Sequence, residues 1–135
     1  MSAQGVIILG HGSRHPGIGR PFASLQIWLQ AELGPACRVE DAYLSLCAPT
    51  LERAIETLQA EGIAQVAILP LFLVAGHHVS EELPGLIDAA AERWPHLELS
   101  LAPHLGAFGD IAPLLRQRLS QAQRRVTCVP ALGPS

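Results

Sequence analysis

Hydrophobic runs of strand length alternate with helix-length amphipathic segments along most of the chain. Residues 5–10 form an apolar run between two glycines, which is typical of a buried strand. Residues 16–33 carry apolar side chains at helical spacing and end at a Gly-Pro pair, which predicts a helix. The apolar residues at this spacing are Ile18, Phe22, Leu25, Trp28 and Leu29. The same patterns predict a strand at 38–44, a helix from Thr50 to Gly62, a strand at 64–71, a helix from Ser80 to Trp94, a strand at 97–101 and a helix at 108–119.

Short strands joined by helical crossovers form a parallel sheet with helices on both faces. We therefore predict a flavodoxin-like α/β fold with four parallel strands in the common order 2-1-3-4. Residues 1–123 are assigned to this single domain, and 124–135 to a C-terminal tail, loosely ordered or forming a short edge strand near 126–129. Ser80 is the predicted N-cap of the third helix, with Glu81 and Glu82 in its first turn.

Composition narrows the function classes. The 135 residues are 49% hydrophobic and 16% charged, which suits one globular domain. The formal charge of −3 argues against a nucleic-acid partner. No signal peptide or membrane span is visible, so we expect no membrane association. The three scattered cysteines indicate reduced thiols in a cytoplasmic protein.

Five of the six histidines follow strand ends at one edge of the predicted sheet. Ligands of such folds bind at that edge, where the strand order reverses between strands 1 and 3. His11 follows strand 1, and His77 and His78 follow strand 3, so we expect them to face one another. A lone loop histidine is more often a simple surface residue, which is the interpretation we take for the others: His15, His96 and His104.

Two imidazoles and a carboxylate facing a cleft suit a borderline divalent metal ion. His78 and Glu82 are four residues apart, as are His77 and Glu81. If the third helix extends back to the histidines, the two members of each pair lie on the same side of the helix. The residues alone do not choose between the two pairs.

The glycine-rich segment 10–14 does not match the common ligand-binding loops. A P-loop ATPase is excluded because the chain has no lysine, and neither the dinucleotide-binding nor the nucleophile-elbow spacing is present. A simple phosphate site at a helix N-terminus stays open. Arg14 and Arg20 could bind carboxylates or phosphates through two parallel hydrogen bonds.

Two segments together resemble a known family. Residues 8–14 after strand 1 and 69–79 after strand 3, ahead of an acidic residue and Pro84, are similar to those of the class II tetrapyrrole metal chelatases, in particular the short sirohydrochlorin cobaltochelatases and ferrochelatases. The resemblance covers residues 5 to about 120 and includes the Pro-x-Leu-Gly turn at 103–106. It implies a chelatase-like fold and ATP-independent insertion of cobalt or iron, with nickel also compatible, into sirohydrochlorin for siroheme or cobalamin-type biosynthesis.

The resemblance also implies roles for individual residues. His11 stands at the position of a family metal ligand and candidate proton acceptor. His78 stands at the position of the second metal ligand, so the resemblance favours His78 over His77. Glu82 stands where the family usually has aspartate and is assigned a catalytic role with the two histidines. Ser45 stands where relatives often carry an acidic residue, which puts a metal-escort role there in doubt. The residues assigned to substrate binding are Gly12, Ser13, Arg14, Gly76 and His77.

The metal ion is therefore expected as a substrate, and no permanently bound cofactor is expected. Long members of the family hold two such domains, so a chain of this length is expected to form a homodimer around the substrate. The first alternative is a carrier that binds metal or tetrapyrrole in the same cleft without turnover. A phosphate- or nucleotide-binding flavodoxin-like protein is a further alternative, against which the absence of lysine and the few aromatic residues count.

Overall fold

Strands and helices alternate in the computed structural model, which describes residues 3–12, 14, 21–74, 76–107, 109 and 111–126. Within these residues the elements are β1 (Gln4–Gly10), α1 (Ala23–Leu33), β2 (Cys37–Tyr43), α2 (Leu51–Ala60), β3 (Gln65–Pro70), α3 (His77–Arg93), β4 (Glu98–Leu101) and α4 (Ala112–Val126). All four predicted strands are confirmed, with ends that differ by one residue. Thr50 begins α2 as predicted, because its hydroxyl accepts a hydrogen bond from the Arg53 N–H at 3.2 Å.

The four strands form one parallel sheet in the order β2-β1-β3-β4, as predicted. β1 is central: Gln4 lies opposite Cys37 of β2 and Gln65 of β3, and the pairing with β2 continues to Gly10 and Tyr43. Crossovers leave β1 and β3 toward opposite faces of the sheet. The crevice predicted from the strand order therefore lies at the carboxyl ends of these two strands.

The sheet separates two hydrophobic cores. Alternate residues of β1 point to opposite faces, and both sets are apolar, which explains its unbroken hydrophobic run. Ile7 and Leu9 pack with α2 and α3 in the larger core, whereas Val6 and Ile8 pack with α1 in the smaller one. Helices thus cover both faces, as predicted.

The first helix begins later than predicted. Residues 21–22 form a turn, and the helix starts at Ala23 rather than at Pro16; residues 15–20 lie outside the described part of the chain. Phe22 stops the helix from extending backwards, because its backbone has φ −99° and ψ 13° and its N–H donates to the Tyr43 hydroxyl at 2.8 Å. Trp28 belongs to the apolar spacing of this helix, yet its side chain is 69% exposed.

The third helix begins earlier than predicted. Gly76 is the N-cap residue, with extended backbone, and the Ser80 N–H donates to the Gly76 carbonyl at 3.0 Å. The prediction of Ser80 as N-cap is therefore wrong, and Glu81 and Glu82 lie one turn further into the helix. Pro84 lies inside α3, where it cannot donate to the carbonyl of Ser80.

The fourth helix is shifted toward the C-terminus. It runs from Ala112 to Val126 rather than over 108–119, and so enters the segment assigned to the tail. Residues 127–135 lie outside the described residues, so the remainder of the tail and the edge strand near 126–129 stay predictions. The leucines of α4 are largely exposed, Leu115 by 59% and Leu119 by 58%. Across the described residues, no helix is both long and apolar enough to cross a membrane.

Leu58→Ala should destabilise the fold far more than Leu33→Ala. Leu58 of α2 is fully buried in the larger core, whereas Leu33 at the end of α1 is 41% exposed. We expect the free energy of unfolding to fall by about 2–5 kcal/mol for Leu58→Ala, because it leaves a cavity, and by less than about 1 kcal/mol for Leu33→Ala. Urea unfolding of both variants measures this; equal losses would contradict the assigned core.

Candidate functional site

Main-chain hydrogen bonds fix the loop after β1 to the loop after β2. The Leu44 N–H donates to the Gly10 carbonyl at 2.9 Å, and the Ser45 N–H donates to the His11 carbonyl at 3.0 Å. Gly12 has φ +105°, and a Cβ atom there would lie 1.9 Å from the Ser45 carbonyl oxygen. Only glycine fits this close approach, so the backbone of His11 is held on both sides.

The His11 imidazole is exposed but rests on a buried aromatic ring. Its centroid lies 4.5 Å from that of Phe72, whose side chain is 4% exposed in the loop after β3. The Leu71 N–H donates to the Leu9 carbonyl at 2.8 Å, which fixes the start of this loop against β1. His11 therefore stands at the predicted crevice with its ring in tilted contact with Phe72 and its side chain exposed to solvent.

The helix α3 begins at the same edge of the sheet. His77 and His78 are its first two residues, so the helix does reach back as far as the His78–Glu82 spacing requires. Residues 78 and 82 are about one turn apart and share a helix face, as do 77 and 81. The side chains of His77 and His78 lie outside the described part of the structure. Glu82 is half-buried and Glu81 exposed.

A buried acidic residue in β2 takes part in the hydrogen bonds that hold the segments next to the site. Asp41 in β2 is fully buried, and its carboxylate accepts a hydrogen bond from the Tyr43 hydroxyl at 2.7 Å. The same hydroxyl accepts the Phe22 N–H, and the Phe22 ring covers Gly10 so closely that a Cβ there would lie 2.4 Å from it. The network thus fixes both ends of the segment that carries His11.

Burial raises the pKa of Tyr43 well above its usual value, and the hydrogen bond to Asp41 raises it further. The N–H of Phe22 opposes this shift, but it is the smaller effect. The phenol therefore stays protonated and keeps both of its hydrogen bonds far into the alkaline range.

The structure brings part of the predicted site together. His11, Gly12, Gly76 and the start of α3 lie at the crevice edge, and Arg14 is exposed. Ser13, His15 and Arg20 lie outside the described residues. His96 lies in the turn before β4, at the opposite edge of the sheet, as expected. In the part of the chain with described side chains, no group of three or more His, Cys, Asp or Glu side chains could hold a metal ion.

Sequence reasoning missed three supporting residues: Phe72, Asp41 and Tyr43. A charged residue inside a buried parallel strand was an available signal for Asp41, since such strands are otherwise apolar. His104 was also predicted from the sequence to be a surface residue. His104 is half-buried and lines a cavity beside Phe72.

Comparison with known proteins places the chain in a family. The sequence model of the CbiX family matches residues 5–122. The chain belongs to the CbiX family. The sirohydrochlorin cobaltochelatase of Priestia megaterium is 29% identical over 118 residues, 87% of this chain and 38% of that protein. The sirohydrochlorin ferrochelatase of Bacillus subtilis is 25% identical, over 86% of this chain and 44% of that protein.

CbiX relatives of similar length also exist. The sirohydrochlorin cobaltochelatase of Methanosarcina acetivorans is 27% identical, over 87% of this chain and 95% of that protein. The chain thus spans nearly all of this relative but less than half of the Priestia and Bacillus proteins.

Solved structures of CbiX relatives share the fold. A cobalamin biosynthesis CbiX protein from Marinobacter aquaeolei superposes with a TM-score of 0.76 at 24% identity, covering 90% of this chain and 98% of that one. The sirohydrochlorin chelatase SirB from Bacillus subtilis subspecies spizizenii, solved in complex with cobalt, gives 0.73 at 25% identity, covering 88% and 50%. The chelatase-like fold expected from the sequence is confirmed.

Tyr43 is the one tyrosine of the chain, so tyrosinate absorbance near 295 nm reports on it alone. In the folded protein we expect no ionisation around pH 10, where the unfolded chain in urea should titrate. Because the folded-state pKa is raised, the stability that this group contributes is full below about pH 10 and is lost as the pH rises above it. A native midpoint near 10 would contradict the buried network.

Proposed function

We propose that this CbiX family member inserts a divalent metal ion, cobalt or iron, into sirohydrochlorin without ATP. The observation that carries the proposal is His11, whose backbone is fixed while its imidazole is exposed at the crevice beside the start of α3. Relatives named as sirohydrochlorin cobaltochelatases and ferrochelatases support the substrate and both metals.

Metal insertion requires two events that imidazole chemistry can serve. The metal ion must lose part of its water shell, and two pyrrole N–H protons must leave the macrocycle. A neutral imidazole can bind the metal through a ring nitrogen or accept a proton near neutral pH. We assign both capacities to His11. Its fixed backbone positions the metal over the macrocycle and makes the transfer an oriented one.

We assign the second metal ligand to His78 and the acidic catalytic group to Glu82. The support is the early start of α3, which puts these two residues one turn apart on one face of the helix. The N-terminal end of α3 follows the loop that carries Phe72, the residue in contact with the His11 ring. The metal ion is a substrate here: it arrives as a hydrated ion and leaves bound in the macrocycle.

Substrate binding is assigned to the residues that surround these ligands. Sirohydrochlorin carries eight carboxylates, whereas the chain has a net charge of −3, so attraction must be local rather than long-range. The exposed guanidinium of Arg14 offers such a contact. A Cβ atom on Gly76 would meet nothing within 4 Å, so the macrocycle can approach the backbone there. Gly12 is assigned to substrate binding as the residue next to His11. Ser13 and His77 complete the proposed set.

Anaerobic absorbance of sirohydrochlorin with substoichiometric protein and cobalt or iron tests the function. We expect many turnovers at a rate above the protein-free control. His11→Ala and His78→Ala should each lower this rate at least about 100-fold, because ligation and proton transfer are lost. His77→Ala should largely retain the rate at saturating sirohydrochlorin, because loss of a substrate-binding contact raises the KM and leaves the chemical step intact. The control His96→Ala, at the opposite edge of the sheet, should retain the rate at any concentration.

Three results would count against these assignments. Tight binding without accelerated insertion would indicate a carrier instead of an enzyme. Equal losses in His77→Ala and His78→Ala would show that the wrong histidine of the pair was assigned. Loss in His96→Ala would show that the variants act through folding.

We further propose that two copies of the chain form a homodimer in the cytoplasm. Exposed apolar side chains on α1 and α4 support an interface, since Ile27 is 63% and Trp28 69% exposed. The free thiols of Cys37 and Cys47 support a reducing compartment.

Light scattering after size-exclusion chromatography should give a dimer mass for the wild type. Trp28→Glu should shift the population toward monomer, because a charge replaces an exposed apolar side chain at the proposed interface. Thr57→Glu on the exposed side of α2 is the matched control and should leave the mass unchanged. A monomeric wild type with full activity would rule the dimer out.

A further inference from the structure

A cavity of about 230 Å³ lies between the loop after β3, the first turns of α3 and the loop after β4. Its wall is apolar except for two polar side chains, those of Ser80 and His104. Whole small-molecule ligands usually occupy about 300–1,000 Å³. The cavity is therefore large enough to hold one side chain of a larger ligand but too small to hold a macrocycle.

One residue connects this cavity to the candidate site. Phe72 lines the cavity, and its ring also contacts the imidazole of His11. A ligand held over His11 would consequently have its edge beside the cavity. Val79 and Leu83 of α3 line it too, so the helix that carries His78 forms another of its walls.

The position of His104 is fixed by the backbone around it. The Leu105 N–H donates to the Pro70 carbonyl at 3.3 Å, and the Gly106 N–H donates to the Phe72 carbonyl at 3.2 Å. A Cβ atom on Gly106 would lie 1.9 Å from the Leu73 carbonyl oxygen, so the two loops touch backbone to backbone. His104 is thus held in place before any ligand arrives.

The wall chemistry indicates which ligand group fits. An imidazole donates one N–H when neutral and two when protonated, and a serine hydroxyl donates one more. A carboxylate is costly to place among apolar groups unless such donors bind it, whereas the methylene groups that carry it gain from apolar contact. A short carboxylate side arm combines both features, and the proposed substrate has eight of them.

We propose that the cavity receives one carboxylate side arm of the tetrapyrrole, with His104 as its hydrogen-bond donor. This inference rests on the proposed function. His104 then acts as a substrate-positioning residue that fixes the rotation of the macrocycle over His11, and no metal-ligand role is assigned to it.

Titration of the protein with metal-free sirohydrochlorin, followed by absorbance without oxygen, measures the effect directly. His104→Ala should weaken binding about tenfold, the value of one hydrogen bond to a charged group. Ala102→Leu, which fills the cavity and leaves His104 in place, should weaken it similarly. His104→Gln keeps an N–H donor and should recover part of the affinity. His96→Ala is the control and should bind like the wild type.

Steady-state metallation separates positioning from a structural role. The KM for sirohydrochlorin should rise in His104→Ala and Ala102→Leu, whereas the KM for the metal and the thermal unfolding midpoint should stay unchanged. If the wild type binds sirohydrochlorin and both variants bind it with the same affinity as the wild type, this inference is overturned and the proposed function is not. Failure of the wild type to bind sirohydrochlorin would overturn the proposed function, and this inference with it.

Discussion

The hydrogen bonding of the parallel sheet does not stop where the strands end. Beyond the ladders, the N–H groups of Leu44, Ser45 and Leu71 donate to the carbonyls of Gly10, His11 and Leu9. The loops after β2 and β3 are thereby joined to β1 and to the loop that follows it. The site depends on this continuation, because it leaves the His11 backbone little freedom to move while leaving its side chain exposed. Gly12 makes it possible, since any Cβ at that position would strike the Ser45 carbonyl.

A second constraint comes from the one charged side chain that the described residues bury completely, Asp41. A buried carboxylate is costly without partners and specifies structure when it has them. Here the Tyr43 hydroxyl donates to Asp41 and accepts from the N–H of Phe22, 21 residues away in sequence. A polar pair in the sheet thus determines where α1 begins. The apolar cores supply the bulk of the stability, and this pair positions Phe22, whose ring covers Gly10.

The same contacts explain what the sequence could and could not predict. Strand positions follow from short apolar runs that are visible in the sequence, whereas the strand order was taken as the one common in such folds. Helix starts were less accessible, because Phe22 is capped by a tertiary hydrogen bond and Gly76 caps α3 through its extended backbone. Ser80 offered a familiar capping side chain but lies inside the helix. The role of His104 was hidden for a similar reason, since its cavity exists only where two loops pack together.

The proposed ligands His11 and His78 belong to segments that follow neighbouring strands, which gives the site its rigidity without closing it. Neighbouring strands lie about 4.8 Å apart, so the relation between the two loops is set by the sheet and not by either loop. A structural metal site is closed by four ligands, whereas a site that transfers metal needs open positions for water and for the incoming ring nitrogens. An exposed imidazole that is in contact with the buried Phe72 ring meets that requirement. Rigidity from the backbone and openness at the side chain are the combination that an oriented transfer of metal demands.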